Sequence, residues 1–532
     1  MTTSSNIESL ISDLRESLRI IRSNLAHQEN ILEQIMLRMQ NNEVQNGGQV
    51  PDEILIQHAW TPPERCDDIS LPSRQMIRKI DPSSDAVGAL NGAKKTWVGR
   101  FYVAHLKARP LFRRTAMWLW INFYPVYEKH VARRLKRKAK STWYPLITFR
   151  DYAKKANSPI TKVFSNAIIN TATPCTFPND DQVHLEKPHD QYEFPPICII
   201  QVENARVCGG TNLTFTDEDV ICHDLYNFEQ DYTSEELHGR HVIDVNKKQI
   251  CVTHEDTAPE DIQVAAAFVD ACASNYAHWL TEVLPRVAAF CSVKQFKDVP
   301  VIVDEGLHKN IMSSLAAVVE PGREIITIPI GRAIRVARLY ITSVAGYVPF
   351  EPRKKRGDAP VHGYFSPPAL NYLKNVLAPA VVALGIQAYP KKIYIRRNSG
   401  VRKVTNNAEI ERLLVAQGFS VVEPEKLSFA QQIALFYNAD IVIGPTGAAM
   451  SNIIFSRNEA AIVILINQLP GTIYWYWQNI AQASGKSICY ILGSGASDKN
   501  VGPHSDYYVD PKKIEAALEA KDNTASKQGY LA

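Results

Sequence analysis

The chain has 532 residues, 45% of them hydrophobic and 21% charged, which suits two or three globular domains and excludes a disordered or fibrous protein. Nine cysteines occur without a Cys-x-x-Cys pair, so neither a zinc ribbon nor a disulfide framework is expected, and a reducing cytoplasm is the simplest setting. No apolar signal core and no run of roughly 18 apolar residues appears, and the net charge of +4 is uninformative until its distribution is read.

The first predicted element is a coiled coil. Ile7, Ile11, Leu14, Leu18, Ile21, Leu25, Leu32, Ile35 and Met39 recur in alternating steps of four and three, with Gln28 as the one break. Leu18, Leu25 and Leu32 fall at a, and Ile7, Ile21 and Ile35 at d. That choice favours a homotrimer or homotetramer over a dimer, with Gln28 fixing register. Residues 1–45 therefore read as an oligomerisation segment.

Residues 46–150 are irregular, basic and aromatic. Between Lys94 and Lys140 fourteen Lys or Arg face a single acid, Glu128. The apolar stretch Ala116–Pro125 lies within that charge. Aromatic rings beside dense positive charge suit an anionic membrane surface, or a groove for an acidic or lipid-linked acceptor. A core helix with a solvated basic face has the same pattern. No nucleic-acid recognition motif is present.

From about residue 195 strands and helices alternate. Strands are predicted at 197–202, 264–269, 299–303, 324–328 and 339–344, with helices at 275–284 and 306–319 between some of them. The charged stretch Arg353–Pro360 reads as a linker. A second series has strands at 392–395, 419–422, 440–443, 461–466 and 487–492, and helices at 406–417, 428–437, 448–455 and 474–484. Alternation of this kind implies parallel sheets with right-handed crossovers. The fold class is α/β: two doubly wound, Rossmann-like domains, 151–355 and 356–500, facing a cleft that suits a nucleotide. Residues 501–532 form a terminal helix and tail.

The stretch Asn275-Tyr-Ala-His-Trp-Leu-Thr-Glu-Val-Leu-Pro-Arg286 carries the clearest chemistry. Asn275, His278, Glu282 and Arg286 fall along one helical face, while Leu280 and Leu284 fall on another. An imidazole, a carboxylate and a guanidinium are costly to bury unless paired or set in a cleft. A histidine beside Trp279 is more often a packed core residue, but Glu282 one turn on and Asn275 one turn back make an acid–base site a real alternative. Pro285 lacks an N–H and crowds the carbonyl four residues back, so the helix is expected to kink or end near Leu284, leaving the position of Arg286 open.

In the second series, Asp440-Ile-Val-Ile-Gly-Pro-Thr-Gly-Ala-Ala-Met-Ser451 runs from strand through turn into helix. Gly444, Gly447 and Ala448 allow close approach of a ligand, and the helix start offers free N–H groups to an anion. Arg396 and Arg397 end the first strand on the same carboxyl edge and suit phosphate, although an ion pair is the expected fate of one of them. Glu425 can accept from ribose hydroxyls, and Ser428 with Gln431 forms a capping box.

Three co-linear blocks carry a resemblance: Asn275-x-x-His278-Trp-x-x-Glu282-x-Leu-Pro-Arg286, Pro424-Glu-x-Leu-Ser-Phe429, and Gly444-Pro-x-Gly-Ala-Ala449 with Asn452 after it. Together they resemble glycosyltransferase family 61 over about residues 195–495. That resemblance implies a GT-B fold and an inverting, metal-independent transfer of sugar from a nucleotide-sugar held mainly by the C-terminal domain. Many members of the family carry His where this chain has Thr446, so backbone N–H groups and Arg396 or Arg397 are expected to meet more of the phosphate charge. The donor side then comprises Arg396, Arg397, Glu425, Ser428, Gly444, Thr446, Gly447, Ala448 and Asn452. Glu282 or His278 is the expected base and Asn275 helps place the acceptor, with Arg286 and Trp279 in support.

On this reading the chain builds a bacterial capsule, lipopolysaccharide or exopolysaccharide from a nucleotide-sugar and a saccharide acceptor, free or lipid-linked. It needs no cofactor or metal and works in the cytoplasm or at the inner face of the plasma membrane. The alternatives are an inactive nucleotide-binding scaffold organised by its coiled coil and a membrane-surface binding protein.

Overall fold

The computed structural model describes residues 60–61, 76–80, 141–185, 191–227, 229–237, 241–253, 260–349, 351–352, 363–383, 389–399, 401–468, 474–495 and 505–528. The expected coiled coil, the basic stretch 94–140 and the linker 353–360 lie outside them.

Unbroken apolar runs make the parallel strands. In the first sheet β1 (Ile77–Lys79), β2 (Ile197–Cys208), β3 (Glu260–Ala267), β4 (Val301–Asp304), β5 (Ile325–Ile328) and β6 (Ala333–Thr342) form one continuous ladder. The order β1-β5-β4-β3-β6 is parallel throughout. Every residue of β4 and β5 is buried, as strands covered on both faces require. Beyond β6 the sheet departs from the expected α/β alternation. The long strand β2 pairs antiparallel with β6 and is exposed at the adjacent Glu203 and Asn204 near its middle. Short strands from 141–253 extend this edge in mixed directions. The pairs closest in sequence, Val242–Asp244 with Gln249–Thr253 and Thr214–Phe215 with Val220–Cys222, are antiparallel as hairpins are.

The second sheet is parallel in the order β8-β7-β9-β10-β11, with β7 (Lys392–Ile395), β8 (Ser420–Val422), β9 (Ile441–Pro445), β10 (Ala461–Asn467) and β11 (Ile488–Gly495). Segments from before and after this series complete it. Cys175–Thr176 pairs with β11 in parallel, and Tyr507–Tyr508 pairs with it antiparallel. That pairing sets Cys175 opposite Cys489, with their Cα atoms 4.5 Å apart, and the two form a disulfide. Cysteine spacing did not announce this bond, because strand pairing closes a separation of 314 residues.

The helices that join the sheets share one apolar cluster. Leu280, Val287 and Phe290 share it with Leu315 of α1 (Lys309–Val318), Leu373 of α2 (Pro367–Ala383) and Phe436 of α4 (Phe429–Asn438), while α3 (Asn407–Ala416) packs Ile410 and Leu414 in a separate cluster with Tyr394 and Val421. All these residues lie in one compact unit, Ala59–Ala532. No helix among the described residues is long and apolar enough to cross a membrane.

Because the disulfide closes so long a loop, replacing Cys489 by Ser lowers stability by about 2–4 kcal/mol under oxidising conditions. Denaturant melts with and without reductant check this; the variant and the reduced wild type are expected to melt alike.

Candidate functional site: two recesses joined by one helix

The site helix begins at Asn275, whose side chain accepts the Ala277 N–H at 3.0 Å. Tyr276–His278 is α-helical, Trp279–Val283 is a π-helical turn, and Leu284–Cys291 is α-helical again. The helix therefore does not end at Leu284. In the π turn the Leu284 N–H reaches the Trp279 carbonyl, and the wider register accommodates the ring and missing N–H of Pro285. The Thr281 carbonyl turns toward Gly346, where a Cβ would come within 2.3 Å of it.

Continuation past the proline fixes Arg286. Its guanidinium is buried, with Nη2 3.3 Å from Asp270 Oδ2 and Nε donating to the Glu282 carbonyl at 3.2 Å. Asp270, three residues past β3, also accepts from Asn212 at 3.2 Å and from the Cys272 N–H at 2.9 Å. One turn earlier His278 Nδ1 lies 2.5 Å from Glu282 Oε1. Burial alone would press the imidazole pKa down, but the Glu282 carboxylate, and Asp270 behind it, hold it above the usual value. With Nδ1 engaged, Nε2 is the free nitrogen. The pair borders a recess of about 60 Å³ shared with Asn212, His223, Tyr226 and Tyr347. Burial, and then Arg286, push His223 down to about 3, so it is neutral at physiological pH. Trp279 is wholly buried and its Nε1 donates to Ser314 Oγ at 2.7 Å.

A larger cavity, about 520 Å³, opens on the other side of the helix start. Ser274 and Tyr276 line one wall; Arg397, Glu425, Gly447 and Ala448 line the other. The second wall is the carboxyl edge of the second sheet, where doubly wound folds bind ligands. The two arginines divide their work. Arg396 is held bidentately by Glu411 at 2.6 and 2.7 Å and by Glu423 at 3.0 Å, so its charge is spent within the fold. Arg397 donates Nε to the Val401 carbonyl at 2.9 Å, and no carboxylate pairs with it among the described residues. Burial, and then Arg402, lower its pKa to about 10, which leaves it cationic at neutral pH. Its Nη1 fills the space beside Gly447, where a Cβ would lie 2.2 Å away.

Other expected donor residues support the cavity from behind. Ser428 and Gln431 form the capping box of α4. Gly444 is packed against Ile395 and Met450, and Thr446 is buried with its N–H on the Leu465 carbonyl at 3.0 Å. Asn452 is fully buried, accepting from the Tyr276 hydroxyl at 2.9 Å and donating to Gln432 and the Ala449 carbonyl, each at 3.0 Å. The segment after Gly447, expected as an ordinary helix, is a 3₁₀ helix, Ala448–Phe455. Ser451 Oγ and Asn452 Nδ2 donate to the carbonyls three residues back, which favours the tighter turn. Sequence reasoning missed Asn212, Asp270 and Asn398, whose Nδ2 lies 2.5 Å from Glu425 Oε1. Asp270 alone had a signal, as the acid ending the strand before the helix. Among the described residues no group of three or more His, Cys, Asp or Glu is placed to hold a metal ion.

Two glycines separate packing from binding. A Cβ at Gly346 meets a backbone carbonyl, so Gly346→Ala destabilises the fold by about 1–3 kcal/mol. A Cβ at Gly447 meets only the flexible tip of Arg397, so Gly447→Ala is expected to melt near the wild type yet lose anion binding. Thermal melts combined with nucleoside diphosphate titrations check both; equal effects of the two variants on stability would contradict the assignment.

No curated protein matches the chain. Residues 276–463 match the family model described as Glycosyltransferase 61, a span that holds the His278–Glu282 pair, Arg397 and the Gly447 turn. The match agrees with the three motif blocks, and over residues 276–463 the chain is similar to glycosyltransferase family 61.

Proposed function

We propose that the chain is an inverting, metal-independent glycosyltransferase with a GT-B-like division of labour, holding a nucleotide-sugar in the 520 Å³ cavity and activating a saccharide hydroxyl at His278. The observation that carries this is the single helix start between the two recesses. Tyr276 lines the larger recess, and His278 with Glu282 lines the smaller one.

In the proposed reaction the acceptor O–H gives its proton to His278 Nε2 while its oxygen bonds to the anomeric carbon. The bond from that carbon to the diphosphate oxygen breaks, and its electron pair leaves with the diphosphate from the opposite face. Glu282 holds Nδ1–H and stabilises the imidazolium that forms, as a carboxylate partner does for a histidine base. Arg397 and the backbone N–H groups of the Gly447 turn meet the charge that develops on the leaving group. Glu425 and Asn398 are suited to the ribose hydroxyls. Asn275 caps the helix that carries the base, and Arg286 braces it through Asp270.

The acceptor is proposed to be a bacterial surface polysaccharide or its lipid-linked precursor, delivered at a membrane by the basic aromatic stretch 94–140, with self-association through residues 7–39. The Cys175–Cys489 pair bears on location, because such a bond persists in an oxidising compartment and is reduced in the cytoplasm. Its redox state in the native host separates the cytoplasmic placement from an exported one.

The direct test is a panel of nucleotide-sugars scored for nucleoside diphosphate release and for sugar joined to acceptor. Failure across the panel would favour the scaffold reading. Removing the base or its partner is expected to cost about 10²–10⁴ in turnover while donor affinity stays within about twofold; near-normal turnover in both His278→Ala and Glu282→Gln would sink the assignment of the base.

The pH profile adds a signed prediction. Glu282 holds His278 above the ordinary imidazole value of about 6.5, so protonated Nε2 predominates below that raised value and cannot accept a proton. Activity therefore falls as pH drops through a point above 6.5. Glu282→Gln removes the raising charge and moves this acid limb to lower pH; an unmoved limb would show that the titrating group is not His278.

A further inference from the structure

His308 caps the helix Lys309–Val318, and its Nδ1 accepts the Asn310 N–H at 3.2 Å. A ring nitrogen that accepts an N–H carries no proton, so the neutral ring bears its proton on Nε2. With Nδ1 occupied, Nε2–H is a donor and has no acceptor role. The residue is exposed and lines the 520 Å³ cavity from the wall built by the first sheet. Arg397 and the Gly447–Ala449 turn line the facing wall.

The charges around the cavity decide what this donor meets. Arg396 is neutralised by Glu411 and Glu423, whereas Arg397 keeps its charge. Glu425, the one carboxylate among the lining residues, keeps its charge and accepts from Asn398 at Oε1, an arrangement that suits a hydroxyl-rich ribose beside the anion. The start of the helix behind His308 adds a partial positive charge on the same side. A donor-only ring that shares its cavity with the Arg397 guanidinium matches an acceptor-only anion better than a sugar hydroxyl, which can be served by donors or acceptors alike.

We infer that His308 binds the diphosphate of the nucleotide-sugar, donating Nε2–H to a phosphate oxygen from the wall opposite Arg397. This rests on the donor reading of the cavity given above. The leaving diphosphate is then held between a cation on one wall and an uncharged, pre-oriented donor on the other. The helix cap fixes the tautomer before the ligand arrives, so binding does not have to select it.

His308→Ser separates the cap from the ligand contact, because a serine hydroxyl also accepts the Asn310 N–H but offers nothing at the position of Nε2. Calorimetric titration with UDP, GDP, CDP and dTDP identifies the nucleotide that binds, and its nucleoside serves as the control. The expected result is an unchanged melting temperature, nucleoside affinity like that of the wild type, and diphosphate affinity weaker by roughly 10-fold to 100-fold. Diphosphate affinity equal to the wild type, or an equal loss for nucleoside and diphosphate, overturns the inference. If Arg397→Ala weakens diphosphate binding and His308→Ser does not, the role of His308 alone falls. If no diphosphate binds the wild-type protein, the donor reading of the cavity falls, and this inference with it.

Discussion

The site depends on a helix that passes through a proline without breaking. Pro285 removes one N–H and would drive its ring into the Thr281 carbonyl of an ordinary α-helix. A single π turn, Trp279–Val283, widens the register just before it and lets the chain continue to Cys291. Two consequences follow from that one irregularity. Glu282 lies within the π turn, within reach of His278. Arg286 stays on the helix, buried against Asp270 instead of carried off into a loop. The local distortion is stabilised by close packing, since Gly346 leaves room for the displaced Thr281 carbonyl and Trp279 is anchored to Ser314. π turns recur at functional sites because they place side chains that a regular helix cannot.

What was legible in the sequence was what local rules determine. The strands of the second sheet were found within a few residues of their ends because buried parallel strands are continuous apolar runs. The Ser428–Gln431 box marked the start of α4 because that hydrogen-bond exchange is encoded four residues at a time. The spacing of His278 and Glu282 placed them one turn apart, which is the contact observed. Periodicity could not settle Pro285, where a breaker and a continuing pattern conflict and tertiary packing decides. It also could not choose between Arg396 and Arg397. Successive residues at a strand end point to opposite sides, and nothing local says that Glu411 waits on one of them. Asn212, His308 and the Cys175–Cys489 pair were illegible for a simpler reason: the elements that give them partners or a shared cavity are remote in sequence.

The division between the two arginines shows how the donor wall handles charge. A buried guanidinium with two carboxylates contributes little net stability, but removing one partner of such a group is costly. Arg396, Glu411 and Glu423 therefore act as a fixed frame where β7 and β8 end, and Asn398 attaches the same frame to Glu425. Arg397 leaves that frame and spends its charge on the cavity. Its depressed pKa reflects burial and then Arg402, which together outweigh the opposing pull of Tyr507 and Asp506. An anion that restored the balance would bind there by relieving a destabilised charge.

The two recesses are coupled by uncharged groups. The Tyr276 hydroxyl donates to Asn452, whose amide donates in turn to Gln432 and to the Ala449 carbonyl, while Gln432 donates to the Pro424 carbonyl at 2.9 Å. One buried amide thus ties the helix bearing the proposed base to the loops after β8 and β9. Burial raises the Tyr276 pKa, so the phenol keeps its proton and its role as donor across physiological pH. Had this link been an ion pair, each change of charge on the nucleotide between binding and departure would have acted on it directly. A neutral link in a desolvated place is strong once satisfied and indifferent to that change. Under the proposed mechanism it keeps the distance from base to leaving group a property of packing, while the charges that would respond to the reaction sit on Arg397 and His278 at either end.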